Sequence, residues 1–441
     1  MISAAEPAAS SPTMRSLRKA RALRILYLSP YWPHRATSAS EVRALNVARA
    51  LRERGQLEIV VVGGEGAEEE WKVSTVKEFK IASSVPLSSL PTRGLRQKLS
   101  SMFDPRSNYP DGYGVDQKAM RQIQTIAEKF DLIWFCKLRT ADNFPTWAWP
   151  RSVVDIDDLP SLYERSVLKM ENGLKNRLSS AKRLIRLVRR ERLLSDRFTV
   201  LAVCSEADKR YLERFKFTTP LHVIPNGYAR PSAAPVRRLA TPPRIGFIGI
   251  LDYEPNIEGA RWFATECWPR VKREVPNARL RLVGRCSDGP SKPPGEDIDG
   301  LGWIGDADAE MATWAAMIVP IRRGAGTRGK IAHGLSVKCP VVSTTLGAYG
   351  YQFTDGQEAY LADSAEDFAN ACIRAIQQPA EAAAMADRAW RRFLENWTWE
   401  TITPRIWSAV DDCLRLTAWR QRDARIRNFV PKNICVTDNI R

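Results

Sequence analysis

The chain has 441 residues, of which 44% are hydrophobic and 27% charged, and its formal net charge is +17. This length and composition fit a globular protein of two or three domains, and the longest apolar runs are strand-length, which argues against a membrane-spanning protein. Its eight cysteines form no CxxC pair, which argues against a zinc site and against a disulfide framework.

The first residues, MISAAEPAASSPTMRSLRKARAL, predict a disordered tail over 1–20 that leads into a basic segment. They lack the apolar core of a signal peptide, so we expect a cytoplasmic protein. The positive charge of the whole chain indicates an anionic partner, which is nucleic acid, anionic lipid or a phosphorylated substrate. We expect no nucleic-acid partner, because no reader motif and no aromatic–basic interleaving accompanies the charge.

The first half of the chain repeats a strand–helix pattern. The apolar runs at 23–32 and 57–66 predict buried strands, and residues 40–55 between them carry apolar side chains at helical spacing. This order predicts a parallel sheet with crossover helices. Further strands are predicted at 131–136, 152–158, 199–205 and 221–227.

A Pro/Ala-rich stretch at 229–243 predicts a linker, after which the pattern restarts. A strand at 244–251, one helix over 255–276 and strands at 278–284, 315–321 and 339–345 are expected. Two such halves predict an α/β protein with two doubly wound, Rossmann-like domains. Ligands of such domains bind at the carboxyl ends of the strands, and here also in the cleft between the domains.

The loop after the strand at 315–321 has the composition of an anion site. Its glycines allow a close backbone approach, and Thr327 is predicted to be the N-cap of a helix that begins at Arg328. The helix N-terminus suits a phosphate, and Arg322 and Lys330 add full charges that would lower the barrier to loss of a diphosphate. The alternative is an ordinary capped helix with solvated basic residues.

These segments resemble glycosyltransferase family 4. In the second half the resemblance lies in RIGFIGILDYEPNIEGARWFATECWPRVKREVPNARLRLVG, LGWIGDADAEMATWAAMIVPIRRGAGTRGKIAHG, CPVVSTTLGAYGYQFTDG and ENWTWETI. In the first half it lies in LRILYLSPYWP, VVDIDDLPS, VCSEADKRYL and VIPNGYARP, so that it covers most of residues 21–420. The resemblance implies a GT-B architecture and transfer of a sugar from a nucleotide-sugar donor with retention of configuration. It also implies that the reaction needs no metal ion and no other cofactor.

The resemblance also implies a division of the chain. Residues 21–232 would form the acceptor-side domain and 233–395 the donor-binding domain. A helix over 396–423 would pack back towards the first domain, and 424–441 would be a C-terminal tail. In a two-domain transferase of this kind, the donor and the acceptor meet in the cleft.

The implied catalytic residues are Arg322 and Lys330, which would stabilise the leaving diphosphate. The donor would be bound by Gly249, Asn256, Gly326, Thr327, Arg328 and His333. On the acceptor side we expect Asp155, Asp157 and Lys137. The string DIDD at 155–158 mimics the metal-binding Asp-x-Asp of GT-A glycosyltransferases, but it is a frequent string, and we expect no metal there.

Two residues depart from the family pattern. Ala325 and His333 stand where many members carry two glutamates, the second of which accepts hydrogen bonds from the ribose hydroxyls of the donor. A neutral imidazole has one acceptor nitrogen and cannot replace both carboxylate oxygens. Either His333 faces the ribose, or it is a helix residue that packs beneath the loop. These departures leave a second functional hypothesis open, a non-catalytic GT-B subunit that binds a partner or a glycan.

Residues 174–197 carry nine Lys or Arg and two acidic residues, and Leu174, Leu178, Ala181, Ile185 and Val188 follow helical spacing. A second basic stretch covers 92–106. One interpretation is a helix whose apolar stripe packs on the core. The other is a surface helix on anionic lipid at the inner face of the plasma membrane, where a glycan or lipid-linked acceptor of cell-surface polysaccharide synthesis would be found.

Overall fold

The computed structural model describes residues 22–34, 37–64, 68–73, 77–89, 113–144 and 146–429, with 420–429 placed as helix backbone. The predicted tail at 1–20, the basic stretch 92–106 and residues 430–441 lie outside the described residues.

The first half of the chain forms a parallel sheet in which seven strands are described. Its order is β3-β2-β1-β6-β7-β8-β9, and every residue of strands β6 and β8 is buried. Strands that are buried along their whole length are expected where helices cover both faces of a sheet. The strands of this half, including the separate antiparallel pair β4–β5, are β1 Arg24–Ser29, β2 Gln56–Val62, β3 Lys80–Val85, β4 Ser88–Ser89, β5 Tyr113–Gly114, β6 Leu132–Cys136, β7 Ser152–Asp155, β8 Val200–Val203 and β9 Leu221–Val223.

Helices connect these strands. The first begins at a capping box, in which Ser38 Oγ accepts from the Glu41 amide and the Glu41 carboxylate accepts from the Ser38 amide. The helices described in this half are α1 Ala39–Arg54, α2 Glu68–Val73, α3 Gln117–Ala127, α4 Leu138–Asp142, α5 Pro160–Met170, α6 Leu174–Glu191, α7 Leu194–Arg197 and α8 Glu206–Glu213.

The second half forms a second parallel sheet, with the order β12-β11-β10-β13-β14-β15. The predicted parallel architecture is therefore confirmed for both halves. The strands are β10 Arg244–Ile248, β11 Arg279–Val283, β12 Ile298–Gly300, β13 Ala316–Val319, β14 Val341–Ser343 and β15 Tyr360–Leu361. The helices are α9 Glu254–Trp262, α10 Trp268–Glu274, α11 Ala307–Met311, α12 Gly329–Ser336, α13 Ala365–Gln377 and α14 Pro379–Asn396.

The single helix predicted over 255–276 is interrupted. A π-helical turn, Phe263–Cys267, separates α9 from α10. Pro269 lies in the first turn of α10, and proline has no N–H to continue the regular hydrogen-bond ladder. The regular helix is therefore interrupted just before Pro269, the residue that cannot donate to its hydrogen-bond ladder.

The last helix that the structure describes packs on the first domain. The long helix α15, Trp399–Phe429, buries Ile402, Ile406 and Val410 in the same core as α1 and β1. The Trp407 indole N–H donates to the Ala50 carbonyl at 2.9 Å. The chain therefore crosses between the domains twice, once near 229–243 and once just before α15.

Both sheets reverse their strand order at a central pair, β1 with β6 in the first sheet and β10 with β13 in the second. Ligands of doubly wound sheets bind outside the carboxyl ends of the strands at such reversals. Lys137 follows β6, and the loop at 322–328 follows β13. The fold thus places one predicted acceptor-side residue and the predicted anion site at equivalent positions of the two domains.

Candidate functional site

The loop between β13 and α12, residues 322–328, is called the anion loop. Gly324 has φ +127° and Gly326 has φ +73°, which lie in the region that favours glycine. The amide of Gly324 donates to Ser166 Oγ of α5 at 2.8 Å. The anion loop of the second domain is therefore hydrogen-bonded to helix α5 of the first domain.

The prediction that Thr327 caps the following helix is wrong. Helix α12 begins at Gly329, with Arg328 at its N-cap and no side-chain capping bond. The Thr327 hydroxyl and carbonyl instead accept from the Asn226 side-chain amide, at 2.9 and 3.2 Å. Asn226 is 101 residues earlier in the chain, so a local capping pattern could not reveal this contact.

Lys330 lies beneath the loop, in the first turn of α12. Its Nζ donates to Asn256 Oδ1 at 2.9 Å and lies 4.0 Å from the centre of the Phe247 ring. A Cβ added to Gly249 would lie 2.7 Å from that Nζ, so a side chain at 249 would crowd the ammonium. Burial, with the nearby charge of Arg328, holds the pKa of Lys330 well below its ordinary value. An anion in this place would favour the charged ammonium.

The three arginines of the anion loop differ in their partners. Arg322 pairs with Glu258 of α9 at 3.4 Å, and Arg323 pairs with Glu254 at 2.7 Å. Arg328 folds back on the loop and donates to the carbonyls of Ala325 and Gly326. Neither Arg328 nor Lys330 forms an ion pair with a carboxylate in the described part of the chain. The positive charges of Arg328 and Lys330 are therefore neutralised less than those of Arg322 and Arg323.

Asp155 does not face the cleft. It is buried, and both of its oxygens accept from Arg43 of α1, at 2.9 and 2.7 Å. Arg43 also donates to the Pro225 carbonyl at 2.9 Å. The expected acceptor-side role of Asp155 is therefore corrected to a structural one, in which a buried bidentate pair joins α1, β7 and the end of β9.

Lys137 and Asp157 lie together at the carboxyl ends of β6 and β7. Their backbones have φ +70° and +61°, a conformation that costs energy for residues with side chains and is concentrated at functional sites. Lys137 Nζ lies 3.2 Å from Asp157 Oδ2 and donates to Ser40 Oγ at 2.9 Å. Burial opposes ionisation of Asp157, but the charges of Lys137 and Arg43 outweigh it and lower its pKa.

Asp158 is a cleft residue that was not predicted from the sequence. A Cβ added to Gly326 would lie 1.5 Å from Asp158 Oδ1, so this carboxylate of the first domain touches the anion loop of the second. By its accessible surface Asp158 is an exposed residue. Desolvation by the surrounding walls, with the charge of Asp157, nevertheless raises the pKa of Asp158 to about 7. Within the described residues, no group of three or more His, Cys, Asp or Glu is arranged to hold a metal ion.

His333 contacts Asp308 of α11 and the ring of Tyr228. Its Nε2 lies 2.6 Å from Asp308 Oδ1, and its ring stacks on Tyr228 with centroids 4.3 Å apart. The bond to His333 is the main cause that lowers the pKa of Asp308. His333 thus joins α12, α11 and Tyr228 near the segment that links the domains, and its expected donor contact stays a prediction.

We expect His333→Ala to lower the free energy of unfolding by about 1–2 kcal/mol, since it removes a ring stack and a hydrogen bond to a carboxylate. His333→Glu should lower it further, because it places a second carboxylate beside Asp308. Thermal unfolding measures both changes. Adding Asp308→Asn should recover stability in the Glu variant and not in the Ala variant. A His333→Glu protein of wild-type stability that binds nucleotide tenfold more tightly would contradict this placement.

The anion loop and its supporting residues fall within a recognisable family segment. Residues 242–378 match the family model described as Glycosyl transferases group 1. This segment contains Gly249, Asn256, the anion loop, Lys330 and His333. No curated protein sequence matches the chain significantly.

Solved structures match over nearly the whole chain. Sucrose-phosphate synthase from Thermosynechococcus elongatus has a TM-score of 0.59 and 15% identity, covering 91% of this chain and 100% of its own. Anabaena HepE in complex with UDP has a TM-score of 0.57 and 12% identity, covering 88% and 100%. TarM from S. aureus, in a complex that includes UDP, has a TM-score of 0.56 and 9% identity, covering 88% and 99%. These likenesses confirm the GT-B fold, with two Rossmann-like domains around a cleft.

Proposed function

We propose that the protein is a glycosyltransferase that holds the diphosphate of a nucleotide-sugar donor at the anion loop. The observation that carries this proposal is Lys330, held between Asn256 and the Phe247 ring with no carboxylate partner among the described residues, inside the segment that matches glycosyl transferases group 1. A desolvated cation at a glycine-rich loop suits a leaving group that gains negative charge. The HepE and TarM structures are complexes with UDP, which supports a nucleotide donor.

In the proposed reaction the acceptor hydroxyl attacks the anomeric carbon from the side that the diphosphate leaves. The new bond joins the acceptor oxygen to that carbon, the bond from the carbon to the diphosphate oxygen breaks, and the hydroxyl proton passes to the leaving phosphate. The configuration is retained. Lys330 and Arg322 stabilise the leaving charge, and Arg322 must loosen its 3.4 Å pair with Glu258 to do so. In this proposal Gly249, Asn256, Gly326, Thr327 and Arg328 contact the donor, and no metal or cofactor takes part.

The acceptor lies against Lys137 and Asp157, which are held in strained backbone at the edge of the first sheet. We propose a glycan or a lipid-linked acceptor and a place in polysaccharide synthesis at the cell surface. WaaG, of similar fold with a TM-score of 0.52 and 11% identity, is a glycosyltransferase involved in lipopolysaccharide biosynthesis. For a role in such synthesis, we propose that the protein is cytoplasmic and reaches the inner face of the plasma membrane.

A thermal-shift screen against UDP, GDP, ADP and their sugars tests the proposal. Stabilisation by one nucleotide, together with slow hydrolysis of its sugar in the absence of acceptor, is the expected result. The second candidate, a non-catalytic GT-B subunit, is favoured by Ala325 and by the engagement of His333 with Asp308. Nucleotide binding without any donor hydrolysis would support that candidate, and no binding by any nucleotide would exclude the enzyme.

The basic helix α6 exposes its apolar stripe. Leu174, Leu178 and Ile185 have 76, 53 and 54% of their surface exposed and lie on one face of the helix, while Leu187 on another face is buried. The interpretation of a stripe packed on the core is therefore wrong for these residues. No helix in the described part of the chain is long and apolar enough to cross a membrane.

Exposed cations border this stripe. They are Lys175, Arg177, Lys182 and Arg189. We propose that α6 docks on anionic lipid with the apolar stripe inserted and the cations at the headgroups, each of which contributes about 1 kcal/mol near the surface. Such docking would bring the acceptor side of the cleft to a lipid-linked substrate.

Changing Lys175, Lys182 and Arg189 to Glu should abolish co-sedimentation with vesicles that contain anionic lipid, because the surface charge then repels the headgroups. Binding of the wild type should weaken as salt increases, since screening shortens the reach of the charges. The same charge reversal at Arg261, Arg273 and Arg391, exposed residues of the second domain, is the control and should leave binding unchanged. Equal binding of the wild type to neutral and anionic vesicles would contradict the docking.

A further inference from the structure

The contact between Asp158 and Gly326 places a carboxyl group of one domain against the anion loop of the other. Added to the Gly326 backbone, a Cβ would also lie only 2.7 Å from the Asp158 Cγ, so the whole carboxyl group rests on the loop. The amide of Gly324, two residues earlier, is held by Ser166 of the same helix α5 that follows Asp158. The carboxyl group therefore touches the second domain close to a hydrogen bond that joins the two domains.

This arrangement is in electrostatic conflict with a diphosphate. A nucleoside diphosphate brings negative charge to the anion loop, where an ionised Asp158 would repel it. A carboxylate has only acceptor oxygens, whereas a protonated carboxyl group has one O–H donor. Protonation thus turns the same side chain from a repelling neighbour into a hydrogen-bond donor for a phosphate oxygen.

We infer that Asp158 takes up a proton from solvent when a nucleoside diphosphate enters the anion loop, and then donates a hydrogen bond to that diphosphate. This inference rests on the proposed use of the loop as the diphosphate site. It makes Asp158 a positioning residue of the donor, supplied by the acceptor-side domain. The two domains would then be joined through the donor itself, and the closed cleft would be favoured by the bound nucleotide.

The charged groups around Asp158 influence its pKa and so the pH range over which nucleotide affinity should change. Lys137 and Arg328 favour its ionised form, whereas Asp157 and Asp208 disfavour it. Tyr253, at the N-terminus of α9, also lies within reach of its charge. Desolvation, the largest cause, together with these charges raises the pKa of Asp158 to about 7 in the free protein, and an added diphosphate raises it further. Affinity for the diphosphate should thus fall as pH rises above 7, by up to about tenfold per pH unit.

Calorimetry of UDP, GDP and ADP binding to the full chain tests this, in two buffers of different ionisation enthalpy at pH 7.5. We expect uptake of roughly half a proton or more for each nucleotide bound. At this pH the terminal phosphate, with a pKa of about 6, is already ionised, and any proton exchanged by it would be released, which is the opposite sign.

The variant Asp158→Asn carries a permanent donor and cannot titrate. It should bind the nucleotide with less proton uptake than the wild type, with an affinity that depends less on pH between pH 6.5 and 8.5 and exceeds that of the wild type at pH 8.5. Glu128→Gln, which neutralises an exposed carboxylate after α3, is the control and should keep the wild-type uptake. Circular dichroism of each variant checks its fold.

The outcomes are separable. Nucleotide binding without proton uptake by the wild type would overturn this inference and leave the proposed function standing. Uptake in Asp158→Asn as large as in the wild type would assign the proton to another group, of which Lys330 with its lowered pKa is the first candidate, and would also overturn it. No binding by any of the three nucleotides would overturn both the proposed function and the inference.

Discussion

Replacing Lys330 by methionine is expected to lower the rate of sugar transfer by about 10²–10³-fold, the loss found when one preorganised charge stabiliser is removed. Methionine keeps an unbranched side chain over the Phe247 ring, so packing is largely conserved while the charge is lost. The Lys330 ammonium interacts more strongly with the transition state than with the bound donor, because negative charge develops on the diphosphate as its bond to carbon breaks. The effect should therefore fall mainly on kcat, with a smaller change in KM for the donor.

Lys338→Met is the matched control for this variant. Lys338 lies just beyond the other end of α12, with its Nζ 4.4 Å from the centre of the Trp390 ring and 2.8 Å from Asp387. It therefore resembles Lys330 in chemistry and in its aromatic neighbour but does not approach the anion loop. The control should keep wild-type turnover. If Lys330→Met transfers sugar as fast as Lys338→Met, Lys330 does not stabilise the leaving group.

The strands and their parallel order could be predicted from the sequence, because buried runs such as LIWFC at 132–136 and VLAV at 200–203 have no polar residue to interrupt them. The anion loop could be located because glycines, cations and the following helix are local features. Helix α6 was predicted as amphipathic, but not which face is exposed. Periodicity identifies an apolar face without saying whether protein or solvent covers it.

The side-chain partners at the site could not be predicted for one shared reason. Thr327 was assigned from a local capping pattern, Asp155 from its place after a strand and His333 from the family resemblance, and each is engaged by a residue distant in the chain, Asn226, Arg43 and Asp308 respectively. Asp158 stands in the same DIDD string as Asp155, and no local signal distinguishes the carboxylate that is buried against an arginine from the one that reaches the cleft. Only the packing of two domains decides between them.

A second large effect is expected for Gly326→Ala. The new Cβ would lie 1.5 Å from Asp158 Oδ1, a distance that no pair of non-bonded atoms can adopt, so the loop or the carboxyl group must move. The φ of +73° adds a backbone cost of about 1–2 kcal/mol for a residue with a side chain. A shift of about 1 Å in a positioning element can lower turnover by about 10²-fold. We expect a loss of this size in kcat/KM for the donor.

Gly356→Ala separates the contact from the backbone strain, because Gly356 has φ +72° but no atom within 4 Å of its added Cβ. This control should lose stability and keep turnover. The double variant Asp158→Ala/Gly326→Ala leaves only the Cβ of residue 158, at 3.6 Å, near the new methyl group. If the contact is responsible, Gly326→Ala should cost much less in the Asp158→Ala background than in the wild type, a non-additivity expected only for residues that touch. Equal costs in both backgrounds would show that the anion loop does not meet Asp158 in the working enzyme, and that its glycine serves the loop backbone alone.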